Sequence, residues 1–185
     1  MIEKILAVML SIVLGIITQS AVAHSCANEF RVNVNVTSTA PNTRYTDNGD
    51  GTVTDHQTKL MWKQCSEGLS TVITACDTGV ASTHTWQAAL QKAQDVNIIG
   101  FANYSDWRLP NVKELISLIE WQCYNPSINT TFFPNKTIAW DYWSSSPTDP
   151  LFVGTNSSWN VGFRNGGTGR VDRASPLLVR LVRGG

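Results

Sequence analysis

Charge is scarce in this 185-residue chain. Only 15% of its residues are Asp, Glu, Lys or Arg, and the 14 acidic and 14 basic side chains cancel. A net charge of zero offers no bulk attraction to a polyanion, which argues against nucleic acid as a partner. Histidine is limited to His24, His56 and His84. His24 follows the expected cleavage point, and the other two fall in expected loops. The G-x-S-x-G, H-E-x-x-H and P-loop patterns are missing. Catalysis needs a base held against a nucleophile or a metal, so the expectation is a protein that is not an enzyme. The cysteines lack C-x-x-C spacing, which argues against a zinc site. No metal and no cofactor are expected.

Long apolar runs are equally few. Ile5–Ile17 is interrupted only by Ser11 and Gly15. Lys4 precedes it, and Ala21-Val22-Ala23 supplies the small residues of a cleavage point. That is the pattern of a secretory signal peptide over residues 1–23. The run is shorter than the roughly 20 residues of a spanning helix, which disfavours a retained anchor. His24-Ser25 is a poor lead-in for lipidation of Cys26. The expected organisation is an arm over residues 24–43 and one domain over 44–185, with no membrane span after cleavage. The expected location is secreted, periplasmic or at the cell surface.

What is present fits that compartment. Cys26, Cys65, Cys76 and Cys123 all follow the cleavage point, and an even count in an exported chain reads as two disulfides. Three connectivities exist. We favour Cys65–Cys76, which closes a Gly/Ser/Thr-rich loop, with Cys26–Cys123, which ties down the arm.

Phe30–Val36 alternates apolar and polar residues as a strand does. Arg44–Trp62 reads as a β-meander, with Asn48-Gly49 and Asp50-Gly51 in its first turn and Asp55–Lys59 in its second. The first turn is rich in Asp. Set against an EF-hand loop it offers Thr46, Asn48 and Asp50, but Gln57 stands where the bidentate acid belongs, so a turn is favoured over a calcium site. Lys63–His84 reads as irregular. Thr85 caps a helix over Trp86–Val96, with Trp86, Ala89, Leu90, Ala93 and Val96 on one face. Asn111 and Glu114 form a capping-box pattern for a second helix running to about Trp121. Beyond it the chain reads as β and turn. Trp159–Phe163 alternates, Asn165-Gly166-Gly167 turns, and Leu177–Arg183 is a closing strand buried on both faces.

Several blocks, in order, carry a resemblance: YTDNGDGTVTDHQTKLMW, TWQAALQKA, DWRLPNVKELISLI, YWSSS and PLLVRLVRG. Over about Arg44–Gly184 the chain resembles the Lcl C-terminal domain, found at the end of the Legionella collagen-like adhesin. The resemblance implies an α+β fold related to C-type lectins, with two helices packed on a twisted, mostly antiparallel sheet below long loops. It also implies a role at the cell surface. The adhesin binds sulfated glycosaminoglycans and assembles as a trimer, so an anionic glycan or surface protein and a homo-oligomer are the implied partners. The fold's calcium-dependent sugar binders use acidic tripeptides. Here Phe133-Pro134-Asn135 and Trp159-Asn160-Val161 lack the acids.

Recognition without metal remains. Arginine makes two-pronged hydrogen bonds to carboxylate or sulfate, and tryptophan rings serve cores and sugar contacts alike. Trp159, Asn160, Arg164, Asn165, Arg170 and Arg173 gather both chemistries in one glycine-rich stretch. They are the expected ligand-binding residues. Arg180 is expected to be a structural, paired arginine in the sheet, and Asp106 and Arg108 are expected to fix the loop into the second helix.

Overall fold

The computed structural model describes Cys26 and residues 32–70, 76–134, 141–149 and 156–185. The expected signal peptide lies outside them.

The chain enters a meander of β1 (Tyr45–Asp47), β2 (Thr52–Asp55) and β3 (Met61–Lys63), all antiparallel. Gly49 and Gly51 hold positive φ in the first turn. Asp47 accepts the Gly49 N–H at 2.8 Å, and Asp50 accepts the Thr52 N–H at 3.0 Å and its hydroxyl at 2.6 Å. Short polar side chains bonding backbone two residues on favour such turns. These two acids therefore close their own turn. The segment Lys63–His84 is more regular than its sequence suggests. Cys65 and Cys76 form a disulfide beneath a ribbon of β4 (Leu69–Ser70) and β5 (Thr78–Gly79), and β6 (Thr83–His84) follows.

The larger sheet contains β6, β10 (Leu177–Leu178), β7 (Asp141–Pro147), β8 (Ser157–Gly162) and β9 (Gly167–Asp172), in that spatial order. Its pairs are antiparallel except β10 with β7. The expected strand Leu177–Arg183 splits in two. β10 joins the large sheet, and β11 (Val182–Arg183) pairs with β3 in the small one. Between them the Lys63 and Glu67 N–H groups bond the Leu181 and Val179 carbonyls. Leu178 to Val182 are all buried. The apolar run reflects burial on every side, as expected, but of a segment that stitches two sheets together.

Helix α1 (Trp86–Ile99) is capped by Thr85, which accepts the Ala88 N–H at 3.3 Å. It runs three residues past the expected end. Asn97 holds its last turn by bonding both the N–H and the carbonyl of Trp107. Helix α2 (Val112–Ser117) shows the capping box in full. It stops at Leu118 rather than near Trp121, because the next residues have other partners. Ile119 bridges Ile128, and the buried Glu120 carboxylate takes the N–H groups of Thr39, Ala40 and Gln122.

Strand alternation puts Tyr142 and Val161 on one face of the large sheet and Trp143 and Asn160 on the other. Tyr142 and Val161 pack with Leu115 and Leu118 from α2 and with Val53 and Trp62 from the meander. Trp143 packs with Ala89 and Ala93 of α1, Trp107 and Val179. The helices thus cover opposite faces, and small alanines let α1 approach closely. The arm differs from the expected strand. Among the described residues of the arm, only Val32 forms a bridge, to Cys123, before a turn from Asn33 to Val36; Phe30 and Arg31 lie outside them. Cys26 is bonded to Cys123, so both favoured disulfides are present.

Candidate binding surface

The β8–β9 hairpin carries the six expected site residues. It pairs in register from Ser157–Asp172 to Gly162–Gly167. Among the described residues β9 is the outer strand of its sheet, so groups from both faces meet solvent along it. Arg170 stands opposite Trp159, its guanidinium carbon 4.6 Å from the ring centroid. That is a cation–π contact on a solvated strand. Arg173 lies just past β9 and on the other side, 4.3 Å from the centroid of Trp86. Its Nε donates to the Ser157 carbonyl at 3.1 Å and the Ser158 hydroxyl at 2.9 Å. Trp86 is fixed in turn, because its indole N–H donates to the Ser144 carbonyl at 2.8 Å. Arg173 and Trp86 line an open groove of about 590 Å³ with Thr85, Gln87, Asn156 and Ala174. Nη1 and Nη2 of Arg173 hold no hydrogen bond among the described residues, so its fork is available at the groove.

Arg164 and Asn165 are exposed at the hairpin tip. Asn160 is not on this surface. It is 3% exposed and faces the α1 side, opposite to Trp159. Gly169 leaves room for it, since a Cβ there would lie 2.7 Å from Asn160 Oδ1. Five of the six residues therefore occupy three places along the hairpin, roughly 20 Å of strand, while Asn160 is buried in the face that packs toward α1.

The remaining arginines clarify these three. Arg44 pairs with Asp55, Arg108 with Glu114 and Arg183 with Asp106. Arg108 and Asp106 thus anchor the loop into α2 from both sides, as expected. Arg180 is buried and donates Nη1 to the carbonyls of Lys63 (2.9 Å) and Gln64, with its guanidinium over Phe133 and Tyr142. Burial pushes its pKa down, against the nearby Tyr142 and Glu67. It is structural, as expected, but bonded to carbonyls rather than to an acid. Among the described residues, Arg164, Arg170 and Arg173 form no ion pair.

Two imidazoles bond hydroxyls. His56 Nε2 lies 2.7 Å from Thr46 Oγ1, and His84 Nε2 lies 2.8 Å from Ser82 Oγ. Burial lowers the His84 pKa, helped by the charge of Lys92. The acid whose charge acts on it, Glu67, is salt-bridged to Lys63 at 2.6 Å. Neither imidazole is hydrogen-bonded to a carboxylate among the described residues.

Three further aromatics stand near this surface that the residue pattern did not mark as part of it. Trp86 packs against the core, as expected, and also supports Arg173. Trp121 and Tyr124 are half-exposed on the loop that bonds the hairpin tip. Asn125 N–H donates to the Arg164 carbonyl at 2.7 Å.

Two helices on opposite faces of a mostly antiparallel sheet, closed by two disulfides, define an α+β domain suited to an oxidising, extracytoplasmic setting. No helix among the described residues is long and apolar enough to cross a membrane. The chain belongs to the Lcl C-terminal domain family, whose model matches residues 51–183. That family is associated with a bacterial collagen-like adhesin. No curated protein matches the chain.

Proposed function

We propose that this chain is an exported, non-enzymatic adhesion module that holds an anionic glycan along its β8–β9 hairpin. It works in the periplasm, at the cell surface or outside the cell. The observation that carries the reading is the contrast among arginines. Arg44, Arg108 and Arg183 each face a carboxylate, whereas Arg164, Arg170 and Arg173 form no ion pair among the described residues. Two of those three are braced on tryptophan rings, which lowers the entropy lost when the fork engages a ligand. Their spread along β9, the outer strand of its sheet among the described residues, suits an extended polymer better than a single sugar. Carboxylate or sulfate groups would meet the guanidinium forks bidentately.

The test is retention on immobilised heparin in a salt gradient. The variant Arg164→Ala/Arg170→Ala/Arg173→Ala should elute well before the wild type, because exposed charge contacts are screened by salt. Identical elution of the two proteins overturns the reading.

A further inference from the structure

The groove beside Arg173 is walled by more than its arginine. The guanidinium is fixed from several directions. Nε donates to the Ser157 carbonyl and the Ser158 hydroxyl, and the guanidinium carbon lies 4.3 Å from the Trp86 ring centroid. The backbone is tied to the same neighbours. The Arg173 N–H donates to the Asn156 carbonyl at 2.8 Å, and the Trp86 N–H donates to the Arg173 carbonyl at 2.9 Å. A fork held in this way loses little freedom when a ligand arrives. The Arg170 side chain has its ring contact alone, and Arg164 has no hydrogen bond from its side chain among the described residues. Arg173 is the anchor of the three.

The walls add uncharged groups. Asp172 Oδ1 accepts the Ala174 N–H at 2.8 Å and Asn156 Nδ2 at 3.3 Å. A carboxylate takes the donor end of an amide, so Asn156 keeps its Oδ1 as a free acceptor. Gln87 is exposed, and its side-chain amide has no hydrogen bond among the described residues. It offers a donor and an acceptor together. The Thr85 hydroxyl accepts the Ala88 N–H at 3.3 Å and has its own proton to give. At about 590 Å³ the groove has the size of a small-molecule site.

These groups discriminate among anions. A ligand made only of acid groups sets acceptors against the oxygens of Asn156 and Gln87. A ligand with hydroxyls beside its acid gives those oxygens donors. With Nε engaged, the remaining edge of the guanidinium presents parallel N–H groups from Nη1 and Nη2, which match the two oxygens of a planar carboxylate. A hexuronic acid ring carries a carboxylate and several hydroxyls on one small rigid frame.

We propose that this groove is the anchoring subsite of the hairpin and holds one hexuronic acid unit. Its carboxylate lies on Arg173 Nη1 and Nη2, and its hydroxyls bond Gln87, Asn156 and Thr85. This rests on the arginine reading above and narrows it, naming the sugar class and the uncharged residues that select it.

The experiment titrates the ¹⁵N-labelled mature chain with galacturonate trimer, with the methyl ester of that trimer, and with propane-1,2,3-tricarboxylate, each up to roughly 10 mM. The tricarboxylate matches the trimer in charge and has no hydroxyl. The trimer should shift the amides of residues 85–87, 156 and 173 and one indole N–H, and should bind roughly tenfold more tightly than either control. Gln87→Ala and Asn156→Ala should each narrow the gap between trimer and tricarboxylate by roughly three- to tenfold. Both side chains are exposed, so these variants keep the fold. Arg173→Ala should abolish the shifts. The proposal is overturned if the trimer shifts none of these amides, if the tricarboxylate binds as tightly as the trimer, or if both amide variants keep the full gap. Heparin retention separates the two failures. Arginine-dependent retention without a uronate response removes this inference and leaves the arginine reading standing, whereas arginine-independent retention removes both.

Discussion

Arg44 grips Asp55 at both ends of its carboxylate. Nε donates to Oδ1 at 2.8 Å and Nη2 to Oδ2, with Arg44 8% exposed and Asp55 fully buried. Nη1 reaches on to the Ser117 carbonyl at 2.8 Å, and Asp55 also accepts the Thr58 hydroxyl at 2.7 Å. One ion pair therefore joins the entry to the meander, its second turn and the end of α2.

Removing either partner strands a buried charge. Asp55→Asn should cost about 3–5 kcal/mol of stability, measured by urea unfolding. The pair also sets a pH response. Burial alone would raise the Asp55 pKa, but hydrogen bonds from Arg44 and Thr58, with the Arg44 charge, hold it below the ordinary aspartate value. A depressed carboxylate contributes stability that is complete above its unfolded pKa. That contribution is lost as pH falls through the ordinary aspartate range toward the depressed value. Thermal unfolding between about pH 7 and pH 3 should show a steeper acid loss for the wild type than for Asp55→Asn. Equal slopes would contradict it.

Glu120 does for the arm what Asp55 does for the meander. Its carboxylate accepts the N–H groups of Thr39 (3.0 Å), Ala40 (2.8 Å) and Gln122 (3.0 Å), and the Ser38 hydroxyl. Burial opposes its ionised form, yet these donors keep the pKa below the ordinary glutamate value. Glu120→Gln puts a donor among donors and should cost on the order of 2–3 kcal/mol. Hydrogen exchange should speed up first at Thr39 and Ala40, before the β7–β8–β9 amides. Uniform acceleration across the domain would show that Glu120 is not a local tether.

The two disulfides should differ in weight. Cys26–Cys123 spans 97 residues and Cys65–Cys76 spans 11. On the chain-entropy model, longer loops gain more, about 4–5 kcal/mol near 100 residues against about 3 near 15. Paired Cys→Ser variants should therefore rank in that order in thermal unfolding, and the reverse order would contradict the model for this fold.

Local chemistry was readable wherever the partners are neighbours in the chain. Thr85 and the Asn111–Glu114 box mark their helix starts, because a cap reaches only three residues. Asn48-Gly49 and Asp50-Gly51 mark their turn for the same reason. Helix ends were less legible. The apolar spacing of Ile116 and Ile119 carries on to Trp121, but Ile119 and Glu120 are claimed by Ile128 and by the arm. Nothing near Glu120 in sequence announces that its partners are Ser38, Thr39 and Ala40. The apolar run Leu177–Arg183 signals burial correctly, yet periodicity cannot say that a segment is shared between two sheets.

The candidate surface divides in the same way. The residue types of the β8–β9 stretch, arginines beside tryptophan and asparagine, were visible, and the even cysteine count pointed to two disulfides, whose favoured pairing is the one the structure contains. The amino-acid sequence by itself determined the helix caps, the turns, the oxidising compartment and the family. Only the tertiary structure decided which arginines keep a free fork. Arg183 and Asp106 are 77 residues apart and meet as an ion pair, while Arg173 meets Trp86 instead. The structure also turned Asn160 inward and Trp121 outward. Whether a side chain is solvent-facing depends on which distant strand or loop packs over it, and that is a property of the packed sheets, not of the local run of residues.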